Sequence, residues 1–196
     1  MNAPQQLRER VRDAYSAAAE RPRDSHVFPV GRQFAESLGY SKELLANLPS
    51  ACVETFAGVS NVSVFADIPE EKCVLDLGCG AGLDALIAAQ RTGPKGKVIG
   101  VDFSKAMLGR ALRSLGEAGL SNVVFCQGDA ENLPVQTHSV DVALINGIFN
   151  LNPAREAIFR ELARVMRTDG VVYAAELVLS KPLPSEEERT ESKWFA

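Results

Sequence analysis

Residues 73–84 read CVLDLGCGAGLD, a short apolar run that breaks into glycines at alternate positions and passes directly into a helical pattern. Cys73 to Leu77 has the β-rich character of a buried strand, and Leu83 to Arg91 carries apolar residues at three- and four-residue spacing. Gly78, Gly80 and Gly82 allow a tight turn and leave no Cβ between backbone and ligand, while the helix that follows offers unpaired N–H groups. Strand, glycine turn and helix in this order predict an α/β unit holding something polar at the turn. The spacing is G-x-G-x-G. The third glycine comes one residue too early for the dinucleotide fingerprint, and Leu83 stands where that fingerprint has its last Gly or Ala. No Lys-Ser/Thr pair follows, so the phosphate-cradling P-loop is absent and an NAD-binding protein is the minor reading.

The alternation continues downstream. Strands are predicted at Lys97 to Asp102, Asn122 to Gln127, Val140 to Ile145 and Val171 to Leu179, with helices at Ser104 to Ala118 and Pro153 to Arg167. Such alternation is the mark of βαβ units around a parallel sheet. Ser104 reads as a helix cap, and Pro153 as an N1 proline behind an Asn152 cap. In open α/β sheets the ligand crevice lies at the carboxyl ends of the strands where strand order reverses, next to the first strand. Asp102 ends the second strand there. It can accept bonds from both ribose hydroxyls, each charge-assisted bond contributing on the order of 1.5 to 3 kcal/mol. Asp129, following the third strand, is a candidate acceptor for the exocyclic amine of a purine. Three strand ends of this chemistry predict a nucleoside.

The chain has 196 residues, 46% hydrophobic and 23% charged, the balance of one ordinary globular domain. No apolar stretch approaches the roughly 18 residues that span a bilayer, and the opening MNAPQQLRERVRDAY is too charged for a signal peptide. A cytoplasmic location without a membrane partner is expected. With 21 Lys+Arg against 25 Asp+Glu the net charge is −4, which disfavours a nucleic-acid partner. Cys52, Cys73, Cys79 and Cys126 form no C-x-x-C pair, so neither a metal site nor a disulfide framework is expected. Residues 1–70 differ in texture: a helix over Gln5 to Glu20, a polar link over Arg21 to Ser25, and a short helix near Lys42 to Asn47. They are expected to form a helical cap or lid on a domain spanning 71–196.

The segments VLDLGCGAG, VIGVDFS, GDAENLP, DVALINGIFNL and ELARVMRTDGVVYAAEL, from Cys73 to about Leu179, resemble in content and order those of class I S-adenosylmethionine-dependent methyltransferases. The resemblance implies an α/β, doubly wound, mostly parallel Rossmann-like sheet of strand order 3-2-1-4-5, with the family's final strands absent from this chain. It implies S-adenosyl-L-methionine as cofactor, S-adenosyl-L-homocysteine as product, and in-line methyl transfer to a small molecule. Asp76, Gly78, Gly80 and Gly82 would shape the methionine and sugar side, and Cys79 and Asp84 belong to the same cofactor-binding turn. Asp102 would hold the ribose, Asp129 and the Ala130 backbone would address the adenine, and Phe103 or Met107 would pack on its face. Asn146 would line the sulfonium and substrate side. The alternative is a cofactor-binding module that is inactive or regulatory.

Within that superfamily the chain is similar to arsenite methyltransferases and quinone-biosynthesis C-methyltransferases. The arsenite enzymes carry a cysteine in a G-C-G-N-P segment, which here reads GVSNV over 58–62, and another in S-N-C-V-I-N-L, which here reads INGIFNL over 145–151. Val59 and Gly147 stand where those thiols would be. Soft As(III) needs thiolate ligands, so arsenite is disfavoured as the acceptor. Cys52, seven residues before Val59, is the one cysteine placed to compensate. If a general base is used, Tyr15, His26 and Glu176 are the candidates; His138 precedes the fourth strand and belongs to the opposite rim. The sequence ends ESKWFA, which leaves the fifth strand as a bare edge beside Trp194 and Phe195. Either the chain is cut short, or a homodimer covers that edge.

Overall fold

The apolar runs read from the sequence pair into one parallel sheet, β3-β2-β1-β4-β5, in the computed structural model, which describes residues 3–178. Its strands are β1 (Cys73–Leu77), β2 (Lys97–Asp102), β3 (Val123–Gln127), β4 (Val140–Asn146) and β5 (Met166–Ala175). Strand order reverses between β1 and β4, which pair in register Val74↔Val142 to Leu77↔Ile145. Side chains alternate across the sheet. Val74, Val98, Val142 and Leu144 face one core, while Leu75, Leu77, Val101, Ala143 and Ile145 face the other. Covering both faces requires helices on both. α6 (Leu83–Thr92) and α7 (Lys105–Ala118) pack on the first, and α8 (Arg155–Val165) closes the second through Ile158, Leu162 and Val165.

The cap consists of α1 (Ala3–Glu20), α2 (Arg32–Ser37), α3 (Lys42–Ala46), α4 (Ser50–Val53) and α5 (Val62–Phe65). Phe28, Tyr40, Leu45 and Val53 from this part join Val74 and Leu86 in one continuous core. Full burial of each such side chain contributes about 1.5 to 3 kcal/mol, so the cap is held by the same packing as the sheet.

Ser104 caps α7 as its sequence predicts, its Oγ accepting from the Met107 N–H at 3.3 Å. The start of α8 departs from expectation. Its N-cap is Ala154, and Asn152 Oδ1 instead accepts from the Ala154 N–H at 2.8 Å, a local turn that leaves Pro153 outside the helix. Met166 is extended (φ −68, ψ 142), so α8 stops at Val165 rather than reaching Arg167. β5 then starts early: the ladder steps from Val140↔Met166 to Val142↔Val171, and residues 167–170 bulge between them. Among the described residues β5 pairs only with β4, and Val171 and Val172 are exposed. β5 ends at Ala175, so Glu176 to Val178, expected to continue the strand, have left the ladder, while Leu179, Trp194 and Phe195 lie outside the described residues.

Candidate functional site

The carboxyl ends of β1, β2, β3 and β4 converge on a crevice of about 140 Å³ roofed by the cap. After β1, the turn contributes Gly78, Cys79 and Gly80, with Asp76 below it and Asp84 at the start of α6. β2 contributes Asp102 and Phe103, α7 contributes Met107, and the segment after β3 contributes Asp129 and Ala130. Asn146 comes from the end of β4. Gly82 is the one residue of the anticipated cofactor set that does not line the crevice. It caps α6 with φ 88, and a Cβ there would lie 2.7 Å from Phe125 Cζ, so its glycine is required by packing and backbone conformation.

Asp102 is held by its neighbours. Oδ2 accepts from the Gly80 N–H at 2.9 Å and Oδ1 from the Ser104 N–H at 2.8 Å. Each oxygen keeps a further lone pair. Burial pushes this carboxyl up to about 6 against the opposing pull of those N–H groups. Asp76 is buried, and its Oδ2 has no hydrogen-bond partner. Burial, with Asp84 and Asp102 nearby, raises its carboxyl well above the usual range. Such an orphaned oxygen beside a crevice calls for a donor. Burial, then Asp102 and Asp76, likewise raises the Cys79 thiol, which stays protonated at neutral pH.

Asp84 and Asn146 turn out to be joined. Asp84 Oδ1 accepts from the Tyr40 hydroxyl at 2.6 Å and from Ser63 Oγ, and its Oδ2 accepts from Asn146 Nδ2 at 2.9 Å. Asn146 Nδ2 also donates to the Ser60 carbonyl at 2.7 Å, while its Oδ1 accepts from the Val59 and Ser60 N–H groups at 2.7 and 3.1 Å. An amide side chain has two donor hydrogens and two acceptor lone pairs, and here all four are used within the protein. Asn146 therefore fastens the segment 58–60 to the sheet, with its polar atoms turned to the cap rather than to a ligand.

Of the three candidate bases only Tyr15 lines the crevice. Burial, with Asp102 and Glu176 adding to it, raises the Tyr15 phenol, which makes it a hydrogen-bond donor rather than a base. Glu176 accepts from the Phe149 N–H at 2.6 Å and the Leu177 N–H at 3.2 Å, both backbone tasks outside the crevice lining. His26 Nε2 donates to the Arg21 carbonyl at 2.9 Å, and the ring lines a separate surface depression with Pro22 and Phe28. His138 sits on the opposite rim, its Nδ1 3.0 Å from the Met166 carbonyl. Among the described residues no group of three His, Cys, Asp or Glu is placed to hold a metal, and no helix is long and apolar enough to cross a membrane.

The sequence reading missed Arg8 and Val11, which line the crevice from α1, as well as the wall built by Thr55 to Gly58 and by Ile148 and Leu151. Arg8, Val11 and Tyr15 recur at three- and four-residue steps, a stripe visible in the sequence, although nothing there says which surface it covers.

Residues 68–195 match the family described as Methyltransferase domain. The chain is 32% identical over 198 residues to an arsenite methyltransferase of Halobacterium salinarum, covering 93% of this chain and 50% of the relative. It is 38% identical over 103 residues to a demethylmenaquinone methyltransferase of Lactococcus lactis, covering 53% and 41%. Among solved structures it is similar to an arsenic (III) S-adenosylmethionine methyltransferase from Chlamydomonas reinhardtii, at 29% identity and TM-score 0.61 over 80% of this chain and 52% of the other. The chain thus spans about half the length of the curated relatives it matches.

Proposed function

The chain belongs to the Methyltransferase domain family, and from that premise we propose that it binds S-adenosylmethionine in the crevice and methylates a small organic acceptor rather than arsenite. The observation that carries the cofactor half is the buried Asp76 carboxylate with its unpartnered Oδ2. The cationic amino group of a methionine moiety supplies the missing donor and favours the ionised carboxylate. The free lone pairs of Asp102 accept the ribose hydroxyls, Asp129 and the Ala130 backbone address the purine edge, and Phe103 or Met107 packs on its face. The protonated Tyr15 phenol adds a donor from the cap side. When bound, S-adenosylmethionine supplies a methyl group already activated on a sulfonium. The chain's own task is to orient and to exclude water, and holding a nucleophile in line can account for roughly 7 to 11 kcal/mol of the barrier without a general base.

The acceptor half rests on Val59 and Gly147. A Cβ built on Gly147 would lie 3.0 Å from Val59 Cγ1, so the two positions that differ from the thiols of the arsenite enzymes touch each other. An apolar methyl and a bare backbone meet there, with no soft donor. Cys52 does line the crevice, but burial pushes its thiol up to about 11, and Sγ donates to the Pro49 carbonyl at 3.1 Å. A protonated thiol already in use is a poor As(III) ligand. Ile148, Leu151 and Ile158 complete an apolar wall suited to an organic acceptor.

Calorimetry with S-adenosylhomocysteine tests the first half, and product formation from S-adenosylmethionine with arsenite plus thiol, or with a panel of phenols and quinols, tests the second. Binding, with turnover on an organic acceptor and none on arsenite, is expected. No binding at millimolar ligand overturns the cofactor assignment. Turnover on arsenite overturns the acceptor assignment, and binding without any product moves the reading to a cofactor-binding module.

A further inference from the structure

The chain crosses from β3 back to β4 without a helix. Parallel strands are usually joined by one, yet residues 128–139 contain only turns and the isolated bridge Asp129↔Asn132. The backbone groups of such a segment need partners from elsewhere, and two side chains of α8 supply them. Glu161 Oε2 accepts from the Leu133 N–H at 2.6 Å. Arg164 Nη2 donates to the Leu133 carbonyl at 3.0 Å, and Nη1 donates to the Val135 carbonyl at 2.8 Å and to Thr137 Oγ1 at 3.2 Å. The two side chains are locked to each other as a fork, Nε to Oε1 at 2.7 Å and Nη2 to Oε2 at 2.6 Å. The Arg164 guanidinium holds the Glu161 carboxyl below its ordinary range, so the pair is ionised at neutral pH.

Neither residue lines the crevice, but what they hold leads into it. Pro134 lies between the two clamped residues Leu133 and Val135, and a Cβ built on Gly128 would come within 2.7 Å of its Cδ. The chain therefore doubles back, with Pro134 tight against the glycine that begins the crevice wall of Gly128, Asp129 and Ala130. The Asn132 N–H donates to the Asp129 carbonyl at 3.0 Å, and the Gly128 N–H to the Asp102 carbonyl at 3.1 Å, which closes the segment onto the strand that carries the ribose acid. From the cap, Arg8 Nη2 meets Asp129 Oδ1 at 2.5 Å, while the backbone beneath that side chain is set from behind.

We propose that Glu161 and Arg164 are positioning residues for the purine edge of the site: through Leu133 and Pro134 they fix where Asp129 and Ala130 stand. The inference rests on the nucleoside reading above. An adenine edge offers an amine donor beside a ring-nitrogen acceptor, and hypoxanthine reverses both. A carboxylate and a backbone N–H held in place therefore discriminate between the two bases, whereas the same groups on a loose segment do not.

The test is the affinity of the whole chain for S-adenosylhomocysteine and for S-inosylhomocysteine in calorimetry, read as a ratio. A merely structural pair would lower the melting temperature and leave that ratio alone. Wild type is expected to favour the adenosyl ligand by about tenfold or more, and Arg164→Ala by about threefold or less, with inosyl affinity changed by less than about twofold. Arg164→Lys keeps the charge without the fork that spans three acceptors, and Glu161→Gln keeps the shape without the charge; both should fall between wild type and Arg164→Ala. In an Asp129→Ala background, Arg164→Ala should lower the ratio by less than about twofold further, since both act on one contact. Folded variants with an unchanged ratio, or with both affinities lowered alike, overturn the positioning role while leaving the nucleoside reading intact. Should Arg164→Ala not fold, Arg164→Lys and Glu161→Gln decide by the same criterion. Equal wild-type affinity for the two bases overturns the purine edge at Asp129 and this inference with it, and failure of wild type to bind S-adenosylhomocysteine overturns the nucleoside reading as well.

Discussion

Replacing Asp102 with alanine separates binding from stability, because the carboxylate serves both in opposite senses. In the folded protein it accepts from the half-buried Gly80 N–H and the buried Ser104 N–H, and leaving a buried donor unmatched costs about 1 to 3 kcal/mol, with the half-buried one toward the lower end. Against this, a buried carboxyl whose pKa rises from the ordinary 3.8 to about 6 is itself unfavourable at neutral pH. At about 1.4 kcal/mol per unit, its removal returns about 3 kcal/mol. The two nearly cancel, so Asp102→Ala is expected to be folded and within a few kcal/mol of wild type at pH 8. The sign of the pH dependence follows from linkage. The native state binds this proton more tightly than the unfolded chain, so the contribution to wild-type stability is fully present below about pH 4 and is lost as pH rises through about 6. The variant lacks that term, so it should be more destabilised relative to wild type at pH 5 than at pH 8, by about 1 kcal/mol in chemical denaturation. Binding behaves otherwise: S-adenosylhomocysteine affinity at pH 8 should fall at least tenfold, about 1.4 kcal/mol, in calorimetry. A folded variant with unchanged affinity would falsify the ribose assignment.

Other substitutions probe the seam between cap and sheet. Asn146→Ala leaves the Val59 and Ser60 N–H groups and Asp84 without their partner, and should lower stability by at least about 2 kcal/mol in urea titration; a loss below half that value contradicts its role as a fastener. Tyr40→Phe removes one buried hydrogen bond to Asp84 and should cost about 1 to 3 kcal/mol, with S-adenosylhomocysteine affinity changing less than twofold; a large affinity loss would relocate the ligand. Gly147→Ala must hold φ +81 and meet Val59 at 3.0 Å, and a loss of about 1 to 2 kcal/mol that Val59→Ala partly restores is expected. Additive effects of that pair would show that the contact is not a constraint.

The sheet was legible because each strand is a run of apolar and β-branched residues bounded by turn formers, so β1 and β2 fall where the sequence places them. Ser104 was legible as a cap because capping is local chemistry. The short helices α2, α4 and α5 were not, since four to six residues give no window in which a periodic face can show. The α8 boundary was misread because Asn-Pro followed by an apolar stripe also describes a turn that precedes a helix, and the choice depends on what Asn152 bonds. At the site, the acids and glycines after the strands stood out by position. The mutual bonding of Asp84 and Asn146, and the reach of Arg8 to Asp129, join residues 62 and 121 positions apart and leave no local trace. Gly82 shows the converse: its place in the motif suggested a ligand, while its tight approach is to Phe125.

The fully engaged amide at the end of β4 has a bearing on protein recombination. Chimeras that exchange the first seventy or so residues for those of a relative, in search of a new acceptor, would seem to need only a cut before β1. Yet two N–H groups and a carbonyl of that part are satisfied by a side chain contributed more than eighty residues later. A transplanted cap must therefore bring a backbone that presents the same three groups at the same place, or travel with its own residue at position 146. Parents that match there should yield folded hybrids, and mismatched ones should misfold however well their surfaces fit.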